Sequence, residues 1–273
     1  MGSHTADQLS KRGYDVTVFD IRKSSSLRDD QKFIAGDMLD QDAIFKALEG
    51  AEYLYHFGGI ADIGDAIQNP LLTISQNVMG VATALDAAVA QGVGRFVYAS
   101  SMYVNSPYGS FYRASKQAAE IVVEAYCEKF PIEYTLLRYG SLYGPRAQKW
   151  NGLQKYVEQV VRNKVLEYTG TGKERREYIH VSDAAKLTVD ILEKRYANQA
   201  ITVTGQQVLN SDELFDLIFE IAGVERKVLF NRKDHNNDHY VMTPYRYVPK
   251  GAKQVDPEEF VDLAQGVFAI VCE

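Results

Sequence analysis

A chain of 273 residues with 46% hydrophobic residues can bury a sizeable core, as one large domain or two intertwined ones. Its formal charge of −6, with Lys and Arg spread among Asp and Glu, offers no basic face to a phosphate backbone and argues against nucleic acid as a partner. No apolar run reaches the ~20 residues of a membrane span, no leader-like pattern opens the chain, and the distant Cys127 and Cys272 make no disulfide framework, so the expected setting is a reducing cytoplasm with no membrane contact.

The first predicted element is a helix over about 5–12, closed by Gly13, which can take the left-handed cap position. Short apolar runs rich in β-branched and aromatic residues read as buried strands at 15–19 (DVTVF), 32–35 (KFIA), 52–57 (EYLYHF), 94–99 (GRFVYA) and 132–138 (IEYTLLR). Helices over about 41–49, 70–91 and 112–129 lie between them, the second of these with Asn69 as N-cap and Pro70 in its first turn. This alternation predicts an α/β fold, a doubly wound parallel sheet covered on both faces.

Beyond about Pro145 the rhythm loosens. A helix near 151–163, a Gly-Thr-Gly turn at 170–172, a strand EYIHV, a helix after Ser182, a strand AITVTG and a capped helix from Ser211 to Ala222 suggest a smaller, interleaved lobe. The expected division is a dinucleotide-binding domain over 1–144, to which about 177–204 returns, and a mainly substrate-binding lobe over 145–273.

In dinucleotide-binding βαβ units a glycine-rich turn joins the first strand to the first helix, and an acidic residue ends the second strand about 20 residues on. The helix, the second strand and the acidic residue, Asp20, are present here, while the preceding strand and the first two glycines are not. Gly2 falls where the last glycine would stand, so the chain is expected to start inside its own nucleotide-binding loop; Gly-Ser-His as an expression-tag scar is the other reading. The absent strand would be central in the sheet, so its two neighbours are expected to show unpaired backbone edges.

The central chemistry lies in FVYASSMYVNSPYGSFYRASKQAAE, residues 96–120. Tyr112 and Lys116, four apart on a helix, share one face, and Ser100 and Ser101 follow directly on a strand, at the edge where open α/β sheets bind ligands. A phenol near its usual ~10 is a poor base at neutral pH, but an adjacent ammonium favours the phenolate. Tyr-x-x-x-Lys alone is a weak signal; joined to the serines and a dinucleotide-type N-terminal half it marks a proton-transfer site for an alcohol.

The chain resembles an extended short-chain dehydrogenase/reductase of the NAD-dependent epimerase/dehydratase family, which mostly acts on nucleotide sugars. The stretches that carry the likeness are GSHTADQL, VTVFD, FIAGDMLD, YLYHFGG, NVMGVATALDAA, FVYASS, YRASKQAAE, LRYGSLYGPR and GTGKERREYIHVSDAA, in the family's order. The resemblance implies a Rossmann-like fold and NAD as cofactor, with Asp20 holding the adenosine ribose, Asp37 the adenine, and Gly2, Gly58 and Gly59 lining the cofactor. It makes Ser101, Tyr112 and Lys116 the catalytic trio, and for the substrate puts Ser141 where many relatives carry an Asn that contacts the nucleotide and Arg176 where they grip its diphosphate. It also implies a homodimer through the helices at about 70–91 and 112–129.

Departures from the family narrow the activity. Dehydratases and decarboxylases carry an acidic pair or a lone Glu just after the catalytic Ser/Thr, where this chain has Met102 and Tyr103. The interval from Ser101 to Tyr112 is short, and the C-terminal Arg that partners the one at 176 has only Arg246 or Lys250 as candidates. His235 and His239 have helical spacing but no accompanying glutamate, so no metal is expected, and GTGK at 170–173 lacks a full phosphate-loop frame and reads as a turn.

The function expected is NAD-dependent oxidation at C4 of a nucleotide sugar, as 4-epimerase or 4-dehydrogenase. The alternatives are a catalytically inactive, truncated family member acting as a binding protein, and a reductase of a small non-nucleotide alcohol or ketone.

Overall fold

The computed structural model describes residues 1–205 and 208–231. The N-terminal half alternates strands and helices in chain order: α1 (Gly2–Lys11), β1 (Val16–Asp20), β2 (Gln31–Ala35), α2 (Gln41–Ala47), β3 (Tyr53–His56), α3 (Ile63–Gln68), α4 (Pro70–Ile74), α5 (Gly80–Ala90), β4 (Arg95–Ser101), α6 (Ser110–Lys129) and β5 (Glu133–Tyr139). There follow β6 (Ser141–Tyr143), α7 (Gly152–Asn163), β7 (Leu166–Tyr168), β8 (Arg175–His180), α8 (Val181–Asp190), β9 (Gln199–Val203), β10 (Val208–Asn210), α9 (Ser211–Ala222) and β11 (Val228–Phe230). Gly13 closes α1 with a positive φ of 84°, as the sequence predicts, although the helix itself begins earlier, at Gly2.

The main sheet is parallel, in the order β3-β4-β5-β9, and β4 is buried at nearly every residue because helices cover both its faces. Its core gathers Val81, Ala84, Leu85 and Ala88 of α5, Phe96 and Tyr98 of β4, and Ala119 and Val123 of α6. The small residues of α5 are thus core packing. The strand read from AITVTG, β9, joins this sheet beside β5, so the chain returns to its first half after leaving it.

β1 and β2 form a separate parallel pair. Among the described residues no ladder hydrogen bond joins β1 to β3, and the two strands line opposite parts of one groove, as expected for two unpaired edges. The smaller lobe packs α7 against α9 around Phe215, Phe219, Leu166 and Tyr168, with β7 paired to β11. β8 bridges the two halves, parallel to β6 and antiparallel to β10.

One predicted helix is not continuous. The stretch 70–91 is broken into α4, a π-helical turn over Ser75–Met79, and α5. Asn77 sits in that turn, 1% exposed, with its side chain bonded outside the helix, and an inserted residue of this kind is a common cause of a π-bulge. Pro70 does occupy the first turn, but Asn69 makes no side-chain cap; its amide donates to the carbonyl of Asp65, in the first turn of α3, instead.

Candidate active site

β4 delivers Ser100 and Ser101 at its carboxyl end, and a 3₁₀ turn over Met102–Asn105 follows at once. Ser101 Oγ accepts the Tyr103 N–H at 3.3 Å, which starts that turn. The chain then reverses through Gly109, whose φ of 99° and close approach to the Tyr103 ring leave no room for a side chain, and enters α6. Tyr112 and Lys116 are therefore on the first two turns of α6 and face β4.

The structure brings the predicted trio together. Ser101 and Tyr112 line the same groove, and Ser101 is near enough to act on the phenol. Lys116 Nζ donates to the Ala99 carbonyl at 2.8 Å and lies 6.0 Å from the Tyr112 ring centroid. Burial raises Tyr112 above its usual value, and Ser101 opposes that rise. Burial also pushes Lys116 down to about 8, with the Glu120 carboxylate working against it.

The cofactor side is built from strand ends. Asp20 ends β1, exposed, and its Oδ1 accepts the Arg22 N–H at 3.0 Å, fixing the carboxylate at the groove's rim. Gly58 and Gly59 follow β3; a Cβ on Gly59, which has φ 131°, would stand 2.4 Å from Asn77 Oδ1. Asn77 takes the Ile60 N–H at 2.7 Å and donates to both the Ile60 carbonyl and Ser115 Oγ at 2.9 Å. It clamps the glycine loop to the catalytic helix. Sequence reasoning quoted NVMGVATALDAA without giving Asn77 a role; a polar residue inside an otherwise small and apolar helix was the signal.

Across the groove, β6 and β8 carry Ser141 and Arg176, both half-buried. Arg176 lies close enough to Tyr156 and Tyr178 to hold down phenols that burial otherwise raises. The groove has a volume near 1750 Å³, and Gly2, Asp20, Gly58, Gly59, Ser101, Tyr112, Lys116, Ser141 and Arg176 all line it. Asp37 is not in that lining, although its neighbour Met38 is; its carboxylate caps a turn by accepting the Leu39 N–H at 2.9 Å.

The remaining candidates divide simply. GTGK is a turn, organised by Glu174, which accepts from the backbone and hydroxyl of Thr171. His235, His239, Arg246, Lys250 and Cys272 lie outside the described residues. Among the described residues no group of three or more His, Cys, Asp or Glu could hold a metal ion, and no helix is long and apolar enough to cross a membrane.

The profile of the NAD dependent epimerase/dehydratase family matches residues 1–204. The chain belongs to that family. Among family relatives, the dTDP-glucose 4,6-dehydratase of Streptomyces niveus is 25% identical over 79% of this chain and 68% of its own length. The UDP-glucuronate 4-epimerase of Thermodesulfobacterium geofontis is 21% identical over 93% of this chain and 83% of its own. The crystal structure of the UDP-glucose 4-epimerase of Thermotoga maritima with UDP-glucose superimposes with a TM-score of 0.80 at 23% identity, covering 87% of this chain and 84% of that one. At that identity the structural likeness establishes the fold, a Rossmann-type α/β sheet with its appended lobe.

Proposed function

We propose that this family member oxidises a nucleotide sugar at C4 with NAD, as a 4-epimerase or a 4-dehydrogenase. The observation that carries the reading is the gathering of Ser101, Tyr112 and Lys116 at the carboxyl end of β4, with Lys116 bonded to the Ala99 carbonyl, in a groove whose walls hold Asp20 and Arg176. The matched relatives named as 4-epimerases of UDP-glucose and UDP-glucuronate support it.

The residues present suit NAD: Gly58 and Gly59 open the wall beside β3, and Asp20, an exposed acid followed by Ile21, is placed to take the hydroxyl pair of an adenosine ribose. Asp37 would serve the adenine and Gly2 the pyrophosphate end of α1. Bound NAD supplies the two-electron acceptor for the C4 hydride, leaving a 4-ketone. Tyr112, as phenolate, takes the C4 hydroxyl proton with Ser101 bridging, and Lys116 steadies the phenolate and the nicotinamide ribose. Ser141 and Arg176 hold the diphosphate, the guanidinium being matched to that anion. Whether the ketone is reduced again on its other face or released separates epimerase from dehydrogenase.

Elimination and decarboxylation are disfavoured, because Met102 and Tyr103 provide no acid or base after Ser101. A binding role without turnover is the second reading, favoured by the unpaired facing edges of β1 and β3. The functional division follows the notional boundary near Pro145, with residues around 177–204 serving the dinucleotide-binding half.

A homodimer in the cytoplasm completes the proposal. Leu71, at 86% exposed, Met79 and, on α6, Ile121 at 65% put apolar side chains outside on the two helices that would pair. Incubation with NAD and UDP-glucose, followed by NMR of the sugar, tests the chemistry; appearance of the 4-epimer or the 4-ketone is expected. Light scattering of the wild type and of Ile121→Glu tests the dimer.

A further inference from the structure

Behind Ser101 lies a charged cluster that reaches the groove only through Ser100, one of its lining residues. Ser100 Oγ donates to Glu120 Oε1 at 2.5 Å, and Arg138 grips the same carboxylate in two places, Nε to Oε1 at 3.0 Å and Nη2 to Oε2 at 2.6 Å. Ser100 is 4% exposed and Glu120 6%. Ser100 precedes Ser101 on β4, Arg138 is its register partner on β5, and Glu120 follows Lys116 by one turn on α6. One carboxylate thus ties the three elements together at the residue beside Ser101 and the turn beside Lys116.

We propose that Glu120 is a positioning residue for the C4 oxidation: with Arg138 it holds the end of β4 against α6 and keeps Lys116 an ammonium beside Tyr112. The inference rests on the C4 reading for its rate effect, while its charge effect can be observed without turnover.

The surroundings of Lys116 leave this part to Glu120. From α6 it faces Tyr112 and Glu120; from β4, the Tyr98 ring, with Nζ 4.7 Å from its centroid, and the Ala99 carbonyl; from β3, His56, which burial holds neutral. Asn77 and Ser115 nearby are uncharged, and Arg138 reaches the site through Glu120. Burial drives Lys116 toward the neutral amine and Glu120 is the group that resists. A structural ion pair would stabilise the packing of α6 without touching that balance.

Glu120→Gln keeps the shape and an acceptor for Ser100 while removing the charge. The ¹³Cε signal of Lys116, assigned by its loss in Lys116→Met, is titrated in the protein without substrate. The expected result is a midpoint lowered by about one pH unit or more in Glu120→Gln, with Glu120→Asp returning most of it. In the pH profile of hydride transfer the upper limb, which reports loss of the Lys116 proton, moves down with it. An unchanged Lys116 midpoint in a folded Glu120→Gln protein, or a rate lowered equally at every pH, overturns the proposal. If Glu120→Gln does not fold, Glu120→Gln/Arg138→Met is compared with Arg138→Met alone, a pair that differs only in the Glu120 charge. A wild type with no turnover on any nucleotide sugar refutes the C4 reading, and the lysine titration then decides the charge effect by itself.

Discussion

Lys116 is anchored to Ala99, its Nζ donating to that carbonyl at 2.8 Å, so the ammonium is fixed by the strand that carries Ser101 rather than by Tyr112. Strand β4 therefore sets the distance between Ser101 and both helix residues. The arrangement places a buried cation where it is costly for stability and useful for chemistry, a trade common at active sites.

That trade predicts opposite effects of one substitution. Lys116 falls from 10.5 to about 8 through burial, so the unfolded chain binds the extra proton between those values, stability rises with pH across that window, and the full cost is present at pH 7. A fall of this size corresponds to ~3 kcal/mol. Lys116→Met should abolish turnover and raise the melting temperature at pH 7 by several degrees, since ~1 kcal/mol is worth ~2–4 °C in a chain of this size. Thermal scans beside activity assays check it.

His56 predicts an acid limit. Its ring is 5% exposed, Nε2 has no hydrogen-bond partner among the described residues, and burial first, then Lys116, lowers it to about 3. The unfolded chain takes a proton below about 6.5 that the folded chain refuses, so stability is lost as pH falls from there toward 3, about 2 kcal/mol of it by pH 5. The ring stacks on Phe96, so His56→Phe is tolerated and should flatten the loss between pH 7 and pH 5 in urea unfolding.

Gly59→Ala should separate loop from fold. The new Cβ meets Asn77 Oδ1 and sits on a φ of 131°, so the Asn77 clamp must move. The expected cost is about 1–3 kcal/mol in stability, together with weaker NAD binding by calorimetry. Asn77→Ala, which removes the obstruction and the clamp at once, should not restore binding.

Arg176→Ala should raise the KM for the nucleotide sugar about 10- to 100-fold while leaving NAD affinity unchanged, because a charge-assisted contact to the diphosphate is lost on the substrate wall only. Steady-state kinetics and calorimetry distinguish the two sides of the groove.

The main strands were legible because buried parallel strands are written as near-continuous β-branched and aromatic runs, and FVYAS and YTLLR have no other reading. That Tyr112 and Lys116 share one face of α6 was legible because helical spacing fixes it. What escaped was tertiary. The π-turn at Asn77 depends on Ile60, distant in sequence, and the state of Tyr112 depends on how deeply α6 is covered. β6, β7 and β11 are three residues each, too short to show a period. For α3 a signal existed, Asp62 accepting the Asp65 N–H as an N-cap, but Gly64 inside the first turn weakens the helical pattern.

The most direct measurement is to incubate the protein with NAD and UDP-glucose bearing deuterium at C4 and to follow the label by mass spectrometry. The account predicts either a 4-ketone with the deuterium moved to the nicotinamide ring or a 4-epimer that regains the deuterium at its inverted C4, and neither in Tyr112→Phe. UDP-glucose recovered unchanged with its label on C4, no 4-epimer or 4-ketone being formed under conditions where calorimetry shows both NAD and UDP-glucose bound, would contradict C4 oxidation and leave a binding role in its place.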